Sequence, residues 1–126
     1  MELKASIRLQ RSTGFNMTVD LNIPDQGITG IYGPSGSGKS TILRLLAGLD
    51  RGSPADAILI SAGDQVWQDG VHFTPPHLRS VGMVFQRQHL FPHMSVSENL
   101  RYAIQRSRDP DRKSTRLNSS HQIISY

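Results

Sequence analysis

The octapeptide Gly33-Pro34-Ser35-Gly36-Ser37-Gly38-Lys39-Ser40 constrains this chain more than any other stretch, because it satisfies G-x-x-x-x-G-K-S/T in full. A loop that wraps a polyphosphate must aim consecutive backbone N–H groups inward, and small or Cβ-free residues allow that close approach. A helix that follows directly adds its positive end and its unpaired first amides. In that arrangement Gly33, Ser35, Gly36, Ser37, Gly38, Lys39, Ser40 and Thr41 form a phosphate cradle. Lys39 lies on the β- and γ-phosphates and the Ser40 hydroxyl on Mg²⁺. Average residue frequencies give a chance match in roughly one chain of this length in a few hundred. The flanks lower that chance: a β-prone run, residues 28–32, enters the loop, and Ile42, Leu45, Leu46 and Leu49 follow it at helical spacing. A glycine-rich turn with an incidental lysine would explain neither flank.

Around this motif the apolar pattern changes period. Leu3, Ala5, Ile7 and Leu9 alternate with polar residues, and Met17, Val19, Leu21 and Ile23 repeat the pattern until Pro24 ends it, which predicts a β-hairpin. The helix after the loop is expected to end near Gly48 to Gly52. Residues 57–73 read as short strands broken at Gly63-Asp64 and Asp69-Gly70. Residues 81–85 form a further apolar run with Gln86 at its end, and Ser95 with Glu98 makes a capping box for a helix reaching about Arg106.

A phosphate loop does not by itself separate a kinase, a GTPase, a helicase and a transport ATPase. Here ITGIYGPSGSGKSTILRLLAGLDRG together with RSVGMVFQRQHLFPHMSVSENLRYA resembles the ATP-binding subunits of ABC transporters, over about residues 1–106. The resemblance implies an α/β fold: a P-loop NTPase core with an N-terminal antiparallel β subdomain, here truncated before the signature helical subdomain is complete. It implies ATP and Mg²⁺ as ligands. Gln86, ending VGMVFQ as the family's Q-loop glutamine does, would approach Mg²⁺ and the attacking water and act with Lys39 in catalysis. Its plain alternative is a strand-end amide capping a turn. Phe15 is the one aromatic residue near the first hairpin that could stack on adenine. Residues 90–100, which open on Leu90 and close on Leu100, resemble the segment that docks the transmembrane permease, so Phe91, Pro92 and Met94 are either surface contacts or buried loop anchors. A second copy of the subunit and a peripheral place on the cytoplasmic face of the inner membrane are implied as well. Within the family, FTPPHLRSVG and LFPH followed by NLRYA are most similar to molybdate importers; sulfate, polyamine and iron importers share most of the pattern.

The family's LSGGQ signature, its Asp-Glu strand and its switch histidine do not occur here. Phosphoryl transfer depends on positioning and charge stabilisation by all these groups together, so the expectation is nucleotide binding without hydrolysis. DRKSTRLNSSH, residues 111–121, reads as an in-frame translation of a short-read sequencing adapter, and residues 122–126 fit its index and continuation. The expected division is therefore residues 1–110 as the N-terminal part of the ATP-binding domain and residues 111–126 as a disordered, non-native tail. This division also disposes of the charge. The chain is formally +4, but residues 1–110 and 111–126 each supply half, so the basic balance gives no grounds for a nucleic-acid partner. With no cysteine, disulfides and thiolate metal sites are excluded. A rival reading, a small P-loop kinase whose lid arginines would be Arg106 and Arg108, lacks a use for the segment around Gln86.

Overall fold

A computed structural model of the chain describes residues 1–87, 89–106 and, as backbone only, 122–124. Strand β1, Leu3–Gln10, pairs antiparallel with β2, Asn16–Ile23, in the register Leu3 to Ile23 and Ile7 to Val19. The turn between them contains Gly14 at φ 84°. Helix α1 covers Lys39–Ala47. Strands β3, Ala57–Ala62, and β4, Gln65–Gln68, complete an antiparallel sheet in the order β2-β1-β3-β4. Period-two alternation puts Ala5, Ile7 and Leu9 of β1, and Ile58, Ile60 and Ala62 of β3, on one face. There they bury against Ile42, Leu45 and Leu46 of α1 and against Trp67. The phosphate loop is thus held between the sheet and the helix that covers it.

Strand β5, Gly82–Val84, lies in a separate two-stranded sheet. Helix α2 spans Val96–Arg106 and buries none of its residues. Its entry is the predicted capping box: the Glu98 amide donates to Ser95 Oγ at 3.2 Å, and the Ser95 amide donates to the Glu98 carboxylate at 2.7 Å.

Two expectations differ from the structure. The run at 28–32 forms no strand, and Ile28 and Tyr32 stand fully in solvent while Ile31 packs on the core. A β-prone run becomes a strand only when a neighbour completes its ladder, and no described strand pairs with this one; β5 pairs elsewhere. Its partner is β6, Gln122–Ile124, in parallel register from Gly82 to Gln122. Those three residues were expected to be disordered with the rest of 111–126. The β-branched Ile123 and Ile124 suit a strand, and the open edge of β5 offers them a ladder. The remainder of that segment, and Arg108, lie outside the described residues.

Candidate functional site

Helix α1 begins without a side-chain cap. Gly38 occupies the N-cap position at φ 96°, a left-handed conformation that L side chains rarely adopt. The first helical bond runs from the Ile42 amide to the Gly38 carbonyl at 2.9 Å. The amides of Lys39, Ser40 and Thr41 therefore have no partner within the helix, and the first turn contains no acidic residue. Gly36 is also left-handed, at φ 79°. A Cβ on Gly33 would stand 3.0 Å from Ser37 Oγ, so the loop closes tightly on itself.

Lys39 folds back into this loop, where its ammonium donates to the Gly33 carbonyl at 2.6 Å, to the Pro34 carbonyl at 2.8 Å and to Ser37 Oγ at 3.4 Å. It pairs with no carboxylate among the described residues. A cation held by neutral oxygens alone, beside helix-start amides with no partner in the helix, is an arrangement complementary to a polyanion, and the residues present fit a nucleotide polyphosphate. Gly33, Ser35, Gly36, Ser37 and Ser40 are exposed, whereas Gly38, Lys39 and Thr41 are half-buried. The exposed Ser40 hydroxyl is available to a metal ion.

The structure places Phe15 beside this loop, because a Cβ on Gly38 would lie 3.2 Å from Phe15 Cζ and 2.6 Å from Met17 Sδ. Gln86 is exposed in a bend two residues after the end of β5, and among the described residues its side chain shares no hydrogen bond with the loop. Residues 90–100 are ordered by a contact the sequence did not advertise. The Asn99 amide group donates to the carbonyls of Phe91, Met94 and Ser95 and accepts from the Phe91 amide. Phe91, 40% exposed, packs edge-on against Tyr102 with ring centroids 5.0 Å apart. Phe91 and Pro92 are exposed and Met94 is half-buried.

Sequence reasoning also missed Arg79. Its buried guanidinium donates to the last carbonyls of α1, Leu45 and Leu46, both at 2.9 Å, and to the Thr74 carbonyl at 2.8 Å. It lies over the rings of Trp67 and Phe73. Burial lowers its pKa to about 10, so it stays charged at neutral pH and complements the negative end of the helix. The HLRSVG stretch held the arginine, but nothing local pointed it at a helix end 33 residues earlier.

An open cavity of about 720 Å³ lies on the other face of the sheet, lined by Arg8, Arg51, His72 and Phe73 among others. None of the predicted site residues lines it. A polyphosphate cradle is a surface loop whose binding power comes from aligned amides, so a concave volume elsewhere is no argument against it.

Comparison with known proteins gives the family. The ABC transporter family profile matches residues 17–125. The chain belongs to the ABC transporter family. Membership of the ABC transporter family makes the fold that of a P-loop NTPase, with the antiparallel sheet at its N-terminal side. The molybdenum import ATP-binding protein ModC of Thiobacillus denitrificans is 47% identical over 97 residues, which is 77% of this ABC transporter chain and 26% of that relative. The proteins of the same name from Rhodobacter capsulatus and Methylococcus capsulatus are each 45% identical, over 79% and 80% of this chain and 27% and 28% of their own lengths. The chain thus spans about a quarter of the curated relatives it matches.

Proposed function

We propose that the chain binds ATP with Mg²⁺ through residues 33–41, as the ATP-binding part of an ABC importer whose cargo is molybdate. The observation that carries this reading is the left-handed, uncapped Gly38 N-terminus of α1, with Lys39 held beside it by carbonyls alone. The names of the three relatives favour molybdate over sulfate, a polyamine or iron. In this reading Lys39 exchanges its carbonyl acceptors for the β- and γ-phosphates, and the Ser40 hydroxyl and Gln86 hold the metal ion. Phe15 stacks on adenine. In the whole importer ATP hydrolysis drives transport, a second copy of the subunit closes the site, and residues 90–100 meet the transmembrane permease. The Asn99 clasp supports that last assignment, since a surface ordered in advance binds at lower entropic cost. No helix among the described residues is long and apolar enough to cross a membrane, which suits a subunit bound peripherally at the cytoplasmic face of the inner membrane. The reading of residues 111–126 as translated adapter is likewise a proposal. Resequencing the locus tests it against a family match that runs to residue 125.

Isothermal titration with ATP and Mg²⁺ is the direct test. A hydrogen-bonded charge contact contributes about 1.5–3 kcal/mol, so Lys39→Ala should bind roughly 10- to 100-fold more weakly. Unchanged affinity would remove the assignment.

A further inference from the structure

Gly38 is in van der Waals contact with the hairpin. The ideal Cβ position at Gly38 lies 2.6 Å from Met17 Sδ, 3.8 Å from Met17 Cε and 3.2 Å from Phe15 Cζ, so the backbone at this point is seated directly on two side chains of another element. Met17 belongs to β2, the outer strand of the sheet, and its side chain points to the face where Val19, Leu21 and Ile23 also pack on the core. Gly38 is also the N-cap of α1, and its carbonyl accepts the first helical bond from the Ile42 amide. Where the hairpin stops the glycine therefore contributes to the direction of the amides that follow it.

Resting on the ATP-binding reading, we propose that Met17 is a positioning residue of the phosphate cradle: its thioether is the seat that fixes Gly38, and through Gly38 the amides of Lys39, Ser40 and Thr41. Amide donors lose strength steeply when their direction shifts, so a row of backbone N–H groups needs packed side chains behind it to stay aligned. An unbranched, polarisable side chain is suited to filling the irregular gap beneath a glycine. Phe15 and Met17 touch the same glycine but divide the ligand between them. Met17 acts on the phosphates alone, through the backbone, whereas Phe15 presents its ring to the base.

Two ligands separate these roles: ATP with Mg²⁺, and inorganic tripolyphosphate with Mg²⁺, which has no base. Titrated into the chain as it stands, Met17→Ala should weaken both by about tenfold, the effect of roughly 1.4 kcal/mol of lost alignment. Met17→Leu, which restores the volume, should return both to within about twofold of wild type, a volume-conserving exchange being well tolerated. Phe15→Ala should weaken ATP more than tripolyphosphate, because its ring serves the base as well as touching Gly38. Met17→Thr keeps the strand preference of β2 while removing the end of the side chain, and replaces Met17→Ala if circular dichroism shows that variant unfolded. Tripolyphosphate affinity equal to wild type in the folded, shortened variant overturns the proposal, as does a Leu variant no better than Ala. A wild-type chain that binds neither ligand overturns the ATP-binding reading itself, an outcome distinct from either.

Discussion

Asp56 shows how a residue without a motif can fasten a fold. Its fully buried carboxylate accepts from the Ser53 amide at 2.6 Å, the Ser53 hydroxyl at 2.9 Å, the Gln10 amide at 2.9 Å and the Arg11 guanidinium at 3.0 Å. Burial alone raises a carboxyl pKa. Here the amides of Ser53 and Gln10, the Ser53 hydroxyl and the Arg11 charge outweigh burial, and the pKa falls below the ordinary 3.8. A depressed carboxylate contributes stability that is complete above its unfolded pKa and is lost as the pH falls through the folded one. Asp56→Ala should therefore cost about 2 kcal/mol at pH 7 by stranding several donors. In urea denaturation the gap between variant and wild type should narrow once the pH drops below 3.8; a gap independent of pH would remove the carboxylate from the account. No reading of neighbouring residues finds this knot, because Arg11 and Asp56 lie 45 positions apart. Lys39 is the opposite case. Its proposed role follows from a motif of eight consecutive residues.

At the scale of elements, the two ends of α1 contrast. The N-terminal end is open, which suits the phosphate binding proposed for it. The C-terminal end is sealed by Gly48, left-handed at φ 76°, and by Arg79. These two are coupled, since a Cβ on Gly48 would come within 2.8 Å of Arg79 Nε. Arg79→Ala should destabilise the chain by about 3 kcal/mol, because three carbonyls lose a buried charged donor. Gly48→Ala should also destabilise, through both the clash and the left-handed backbone. The double variant should cost less than the sum, because without the guanidinium only the backbone strain remains at 48. Strict additivity in a double-mutant cycle would show that the two do not meet. Gly48 as helix stop and Ser95 with Glu98 as helix start were readable, being local hydrogen-bond chemistry. The strand expected at 28–32 was not realised, because strand formation needs a second segment that no local pattern supplies.

For the whole molecule the same division predicts unequal stability. β1, β3 and α1 share the buried core, whereas α2 buries nothing and leaves Val96, Leu100 and Ile104 exposed at successive helical turns. Amide hydrogen exchange should therefore be slowest in β1 and β3 and faster in α2, most of all beyond the Asn99 clasp. Protection in α2 equal to that in the sheet would contradict the packing described. The order of elements, the hairpin, the phosphate loop with Lys39, both signals at the ends of the helices, and the resemblance that places the chain in its family were all set by the amino-acid sequence, because each is local chemistry or alternation along one segment. The seating of Gly38 on Met17 and Phe15, the clamp of Arg79, the knot at Asp56 and the pairing of β5 with β6 were decided only by the tertiary structure. Each of those depends on the distance between segments far apart in the chain, and it is packing that sets that distance.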